Sequence, residues 1–585
     1  MSQPAGLLAA IVRFSLRFRM VVLVLAGVLV VYGGFALSRS QYDVFPEFAP
    51  PQVSIQAEAA GLAPEQVEVL VTQPIENAVN GLPGLESLRS QSIQGLSVIT
   101  ATFDPGSDIY RDRQNLAERL GALASQLPQG VQPPVLSPLT SSTSVVLAVG
   151  LTSQRRSLME LRTLADWTLK PALLAVPGVA KVAVFGGEVR ELQIQVRPEQ
   201  LIKYDLSIDE VLAAARTATG VRGAGFIDTA NQRLTLQSEG QALTPQQLAG
   251  TVLRHVVGGN VTLGDVAHVV VAPEPPIGAA TIDGQPGVQV VISEQYRANT
   301  LEVTRRVEQA LADLKPGLIA QHVTLHADLF RPANFIATAT GNVRNSLLIG
   351  GVLVVLVLFA FLFNLRTAAI SLAAIPLSLL AAVIVMDAFG LSLNTMTMGG
   401  LAIAVGLLVD DAVIVVENIY RRLRENHHLP APRPVCAVVL DAALEVRSAV
   451  VYATLAIALV FVPVLTMSGL SGRLFAPLGM AYVLATLASL VVALTVTPAL
   501  CYLLLGKHPL PEREAPVVRW TRQRYVALLQ RVESHWRGVL ITVIALSLAS
   551  LATLPFLGGG FLPELREGHF IVHMSAVPGT SLQES

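Results

Sequence analysis

Seven long apolar stretches dominate this sequence, and each is long enough to cross a membrane. A bilayer core takes about 20 apolar residues of helix. Charge-free runs of that order occur at 20–37, 346–365, 367–386, 391–409, 448–472, 474–506 and 538–557. The sixth is too long for a single simple crossing, so its span is set at 480–504, and the fifth is set at 448–468. The fourth is carried through a pair of acids to give 391–416. Only 14% of residues are charged, against about 25% in soluble domains. Lipid is therefore the expected solvent for much of the chain. The run at 20–37 ends in a cleavage-like Ala36-Leu37-Ser38, but it is longer than an ordinary signal core, which favours an uncleaved anchor.

Orientation follows from the short basic flanks. Arg13, Arg17 and Arg19 precede the first span, Arg366 sits between the second and third, and Arg421, Arg422 and Arg424 follow the fourth. Lys507, Arg519, Arg522 and Arg524 follow the sixth. All of them fall on one side if the spans alternate from a cytoplasmic N-terminus at 1–19. Residues 38–343 then lie outside, 417–447 form a cytoplasmic linker, and 558–585 lie outside again. Residues 517–537 alternate Trp520, Leu528, Val532 and Trp536 with five arginines, the pattern of an amphipathic helix lying on the interface.

The external region reads as α+β. Apolar alternation at 52–59 and 98–103 predicts strands, and 64–79 and 108–126 read as helices. Leu82-Pro83-Gly84-Leu85 joins a helix to a strand, and Val176-Pro177-Gly178-Val179 repeats it 94 residues later. Tandem ferredoxin-like βαββαβ units are the economical reading. The expected fold class is thus a polytopic α-helical membrane protein with seven spans and a large external domain of such units. A longer repeat is also present. Phe45-Pro46-Glu47-Phe48 precedes Gly61, and Leu562-Pro563-Glu564-Leu565 precedes Gly579 at nearly the same spacing. Residues 558–585 are accordingly expected to open a second copy of the external domain, and the sequence is expected to be a fragment or a truncated product.

The fourth span holds Asp410 and Asp411, adjacent carboxylates in an otherwise apolar segment. Asp410 lies 11 residues from Arg421, about 16 Å along a helix, hence near mid-bilayer. A charge there costs at least about 2.5–3.5 kcal/mol, which is hard to explain as packing. Gly399, Ala402, Gly406, Asp410 and Glu417 share one helical stripe. Its small members predict close helix approach, with Asp410 facing the bundle interior. A carboxylate pair so placed is suited to passing protons between the two sides. The bland reading is neutral, hydrogen-bonded helix glue, which a single Asn would supply at lower cost.

The segment Gly406-Leu-Leu-Val-Asp-Asp-Ala-Val-Ile-Val-Val-Glu-Asn418 resembles the fourth-span signature of the resistance-nodulation-division (RND) superfamily of proton-antiport exporters. The order of one span, an external porter loop, six spans and a second loop extends the resemblance across the chain. Phe45-Pro-Glu-Phe-Ala-Pro-Pro51, Gly81-Leu-Pro-Gly-Leu85, Gly106-Ser-Asp-Ile-Tyr110 and Glu567-Gly-His-Phe-Ile-Val-His-Met-Ser-Ala-Val-Pro-Gly579 are similar to its heavy-metal branch. The resemblance implies a bacterial inner-membrane homotrimer joined to a periplasmic adaptor (membrane fusion) protein and an outer-membrane channel. It also implies a proton relay of Asp410 and Asp411, with a lysine from a second half as counter-charge.

The substrate is less sharply marked. Soft thioethers suit monovalent copper or silver, and the relatives that carry those ions place a ligand methionine near His573 and Met574. Met386, Met396, Met398, Met467 and Met480 lie in or near spans, where methionine usually packs. Many metal-branch relatives have extra acids around the Asp pair, whereas Leu407 and Val415 are apolar here, a pattern closer to drug exporters. Three readings follow: an antiporter of heavy-metal cations, one of organic compounds, and a membrane-anchored binding module that does not transport. His322, His326 and the His427-His428 pair read as solvated. No P-loop, GxSxG motif or Cys/His cluster occurs in the sequence, so neither a cofactor nor nucleotide-driven transport is implied. A net charge of −1 gives no reason to expect nucleic acid.

Overall fold

The computed structural model describes residues 7–556 apart from 41–45, 48, 124–125, 129, 221–222, 238–240, 257–258, 277, 363 and 507–515, together with 572, 574 and 580–585. It divides into two compact units. The first comprises 1–146, 294–304 and 332–571, and the second 147–293, 305–331 and 572–585.

Among the described residues seven helices are long and apolar enough to cross a membrane: Arg19–Arg39, Ala333–Phe361, Leu365–Ala388, Thr395–His427, Val435–Leu465, Gly469–Leu505 and Trp536–Phe556. The fourth and sixth form the centre of the bundle, and about half of each is buried. The seventh has no buried residue in this chain. A short helix, Leu7–Arg17, precedes the first span and inserts Val12 and Leu16 among residues of the third to sixth spans.

Several boundaries differ from the sequence reading. The fourth helix begins only at Thr395 and continues to His427, and the fifth starts at Val435. The linker expected over 417–447 therefore shrinks to the few residues after His427. Its charges misled the reading because they pair across the two helices. Arg422 donates to Glu445 at 2.6 and 3.0 Å, and Asn418 Nδ2 donates to the Ala442 carbonyl at 2.9 Å. The amphipathic segment expected at 517–537 is the helix Pro516–Ser534, followed at once by Trp536–Thr553.

The first unit also holds a four-stranded antiparallel sheet. β1 (Gln52–Glu58), β2 (Leu85–Ile93), β3 (Leu96–Phe103) and β4 (Val135–Leu136) lie in the order β2-β3-β1-β4. Alternation sets the register: Val53, Ile55 and Ala57 of β1 are buried opposite Ala101, Ile99 and Ser97 of β3. Helical residues Val67, Val71, Ile75 and Val79, one turn apart, pack onto that face with Leu116 and Leu120 of Ile109–Leu123. This is a βαββαβ unit.

The second unit repeats it. β5 (Thr140–Thr152), β6 (Val179–Gly186), Gln285–Gln295 and Thr324–Phe330 form a sheet in which β6 pairs with Gln285–Gln295, which pairs with β5, which pairs with Thr324–Phe330, and the short strand Ala280–Ile282 is a fifth, paired with the start of Gln285–Gln295. The order of the four main strands is the same. Even an irregularity recurs: the first helix of each unit widens to a π turn, at Glu68–Thr72 and at Ala165–Leu169. Each π turn stands just before a proline, Pro74 or Pro171. Proline lacks the N–H that would bond Leu70 or Trp167 four residues back, and the widened turn takes up that loss inside a continuing helix. Between β6 and Gln285–Gln295 the chain builds an inserted subdomain. There Arg190–Val196 pairs with Ala267–Pro273, and Leu206, Val211, Leu248, Val261 and Leu263 form a separate core.

Candidate functional site

The fourth-span helix is fixed before its carboxylates are placed. Its first turn is capped by buried Asn394, whose Oδ1 accepts the N–H groups of Met396 and Thr397 at 3.0 Å. Six residues on, a Cβ built on Gly400 would stand 2.4 Å from the Leu478 carbonyl oxygen. Only glycine permits that approach of the fourth and sixth spans, which is the small-residue packing common between membrane helices. At the other end lie Asn418, Arg422 and Glu445, with Arg421 donating to Asn418 Oδ1 at 2.7 Å.

Between these anchors the helix buries Leu401, Ala404, Leu408, Ala412, Val415 and Val416. Asp411 lies at the edge of this face, half-buried, with the hydroxyls of Ser489 of the sixth span and Thr454 of the fifth against its carboxyl. Both partners are almost fully buried. Asp410 is exposed in this chain, as are Gly406 and Glu417. The stripe expected to turn Asp410 inward is therefore an open face, and the contact glycine is Gly400, one residue and about 100° round the helix from Gly399. The pair is split: one carboxyl sits at a junction of three helices and the other looks outward.

The junction has a definite hydrogen-bond logic. A hydroxyl carries one hydrogen and two lone pairs. Ser489 spends its hydrogen on the Leu408 carbonyl at 3.3 Å, and Thr454 on the Val450 carbonyl at 2.8 Å. Each then has lone pairs left for a donor, and a protonated carboxyl, with its single hydrogen, can donate to only one of the two at a time. An ionised carboxylate accepts only, so both hydroxyls would have to turn away from those carbonyls to serve it. Neither hydroxyl was singled out from sequence, although a Ser or Thr in an apolar run is the signal that marks them.

The remaining predicted residues are dispersed. His573 lies outside the described residues, and Met574 is 83% exposed. Met386 is 1% exposed and packs in an apolar cluster with Ala382, Leu393 and Tyr482. His326 is not plainly solvated as expected: its Nδ1 is 3.2 Å from Asp283, and Nε2 is 2.9 Å from Thr152. Among the described residues no group of three or more His, Cys, Asp or Glu is arranged to hold a metal ion.

Comparison with known proteins shows the family. The chain is 33% identical over 592 residues to Protein HelA of Legionella pneumophila, covering 99% of this chain and 56% of that protein. It is 34% identical over 587 residues to the cation efflux system protein CusA of Escherichia coli strain K12, covering 98% and 56%. To the cobalt-zinc-cadmium resistance protein CzcA of Cupriavidus metallidurans it is 29% identical over 589 residues, covering 98% and 55%. The chain thus spans about half the length of the curated relatives it matches. A crystal structure of a heavy metal efflux pump superposes with a TM-score of 0.77 at 27% identity, over 93% of this chain and 52% of that one. Residues 11–585 match the AcrB/AcrD/AcrF family, and the chain belongs to that family of RND permeases.

Proposed function

We propose that this chain forms the proton-coupling bundle and first porter region of an inner-membrane antiporter that exports heavy-metal cations. The observation that carries the reading is the divided carboxylate pair. Asp411 is held by two hydroxyls at the junction of three spans, and Asp410 lies on the open face of the same helix. Such a pair can take a proton from one side, alter the hydrogen bonds of Ser489 and Thr454, and release the proton after a change in helix packing. The open face of Gly406, Asp410 and Glu417 is where a counter-charged helix from the rest of the pump would lie. Heavy-metal cations are the substrate class favoured by the similarity to CusA and CzcA.

The family supports a wider assembly. We infer a homotrimer joined to a periplasmic adaptor protein and an outer-membrane channel. The N-terminus is cytoplasmic, the region after the first span is periplasmic, and the arginine flanks support that orientation. Chemical turnover is not part of the proposal: the protein acts as a secondary transporter driven by the proton gradient.

The test uses the pump that contains this chain, in vesicles with an imposed pH gradient. Asp410→Asn and Asp411→Asn each keep size and hydrogen-bonding capacity but remove the titrating proton. Each is expected to reduce cation export at least about 100-fold, the scale for loss of an essential proton-transfer group. Protein abundance should be unchanged, because each substitution keeps the size and hydrogen-bonding capacity of the side chain. Near-normal export by both variants would sink the relay.

A further inference from the structure

A membrane-facing groove of about 560 Å³ lies between the N-terminal helix and the first, third and sixth spans. Ile11 and Phe14 line it from the N-terminal helix, Leu25 and Leu29 from the first span, and Leu377 and Val492 from the third and sixth. Its two hydroxyl-bearing residues make no demand on a ligand. Ser15 donates to the Ile11 carbonyl at 2.9 Å, and Thr495 donates to the Val491 carbonyl at 2.6 Å. Within the groove the chemistry is therefore that of hydrocarbon.

Its N-terminal end is cationic. Arg13, Arg17 and Arg19 occur within seven residues, and no acidic residue precedes Asp43 in the sequence. Arg17 lies one helical turn beyond Phe14 of the groove wall and is exposed. Arg19 is held over the Tyr502 ring at 4.5 Å, so its charge is kept near the helix ends. The acids of the fourth and fifth spans at their linked ends are engaged by arginines of those same spans and their short link. Arg433 pairs with Asp441 at 2.6 Å, and Arg422 pairs with Glu445 and Glu425 at 2.6 and 2.9 Å. Arg17 and Arg19 thus stand beside the groove wall, within a few residues of Phe14 and Ser15 that line it.

We propose that the groove holds an acyl chain of an anionic phospholipid, with its phosphate on the cluster of Arg17 and Arg19. The lipid would wedge the N-terminal helix against the first and sixth spans. Basic clusters beside grooves between membrane helices select anionic headgroups, and an apolar slot this size takes a chain without a polar contact.

The experiment is native mass spectrometry of the pump that contains this chain, released from nanodiscs holding equal phosphatidylglycerol and phosphatidylcholine. The wild type should retain phosphatidylglycerol in preference. Arg17→Gln and Arg19→Gln should each weaken that preference about fivefold, the scale for one basic residue near an anionic surface. Ala26→Trp should fill the slot and abolish retention of either lipid. A second reading guards against misfolding. Because Ala26→Trp fills the groove in place of the chain, its melting temperature should no longer respond to phosphatidylglycerol while the apo protein still melts cooperatively. Equal retention of both lipids by the wild type, or unchanged retention in Ala26→Trp, would overturn the proposal.

Discussion

In the first βαββαβ unit, β2 and β3 are joined by the two residues Gln94 and Gly95; in the second, the corresponding hairpin is opened and holds residues 187–284. Both units keep the strand order, and both keep a π turn ahead of a proline in the first helix. A hairpin tip is where a sheet tolerates added chain, since neither flanking strand must change register to admit it. The insertion leaves and returns as an antiparallel pair, with Arg190 opposite Pro273. The second unit is therefore the first with a loop grown into a subdomain, and its core is the same device built from different residues.

The comparison breaks most visibly if the two cores are not separate. Phe103→Ala removes a fully buried ring of the first core, and Leu151→Ala a fully buried side chain of the second unit. The expected costs are about 3–5 and 2–5 kcal/mol. Hydrogen exchange followed by mass spectrometry on the intact chain should place each loss in its own unit alone. Protection lost in both from either change would mean that they fold as one.

A smaller effect sharpens the contrast at the hairpin. Gly95 and Gly186 both have a left-handed backbone, φ 73° and 71°. A methyl on Gly95 meets nothing closer than 3.8 Å, whereas on Gly186 it would lie 2.7 Å from the Ala280 nitrogen. Gly95→Ala should cost about 1–2 kcal/mol from backbone conformation alone. Gly186→Ala should add about 1–3 kcal/mol for the clash. Equal costs in the same exchange experiment would show that the return of the insertion does not lean on β6.

The smallest expected effect is that of removing the insertion. Arg190 and Pro273 are register partners, so a short Gly-rich link can replace residues 191–272 without moving either strand. Exchange protection of β5, β6 and Gln285–Gln295 should stay within the scatter of the wild type. Its collapse would show that the second unit depends on its guest.

The parts of this architecture that were legible in sequence are those written as periodicity. Charge-free runs gave the spans a chemical reason, and the alternation of Val53, Ile55 and Ala57 gave a half-buried strand. The Leu-Pro-Gly-Leu and Val-Pro-Gly-Val pair pointed to repeated units. Not legible were features that depend on which face meets which. Asn418, Arg422 and Glu445 read as linker because their partners lie on another helix. The stripe of Gly399, Gly406 and Asp410 read as a packed face because small residues serve equally on packed and open faces. Asp411, not Asp410, has the buried partners, and Ser489 lies 78 residues from it in sequence. No local pattern carries that distance.

The close approach at Gly400 has a mechanical consequence. The helix that bears the carboxylates is clamped near one end to the sixth span and near the other, through Asn418 and Glu445, to the fifth. A rod gripped at both ends by different neighbours cannot spin freely about its own axis. Torque applied at its middle passes into the grips, so if Asp411 carries the proposed proton, a change of its charge would be felt by the fifth and sixth spans together. A bulkier residue at 400 would loosen one grip and let the rod turn alone, leaving protonation intact but idle.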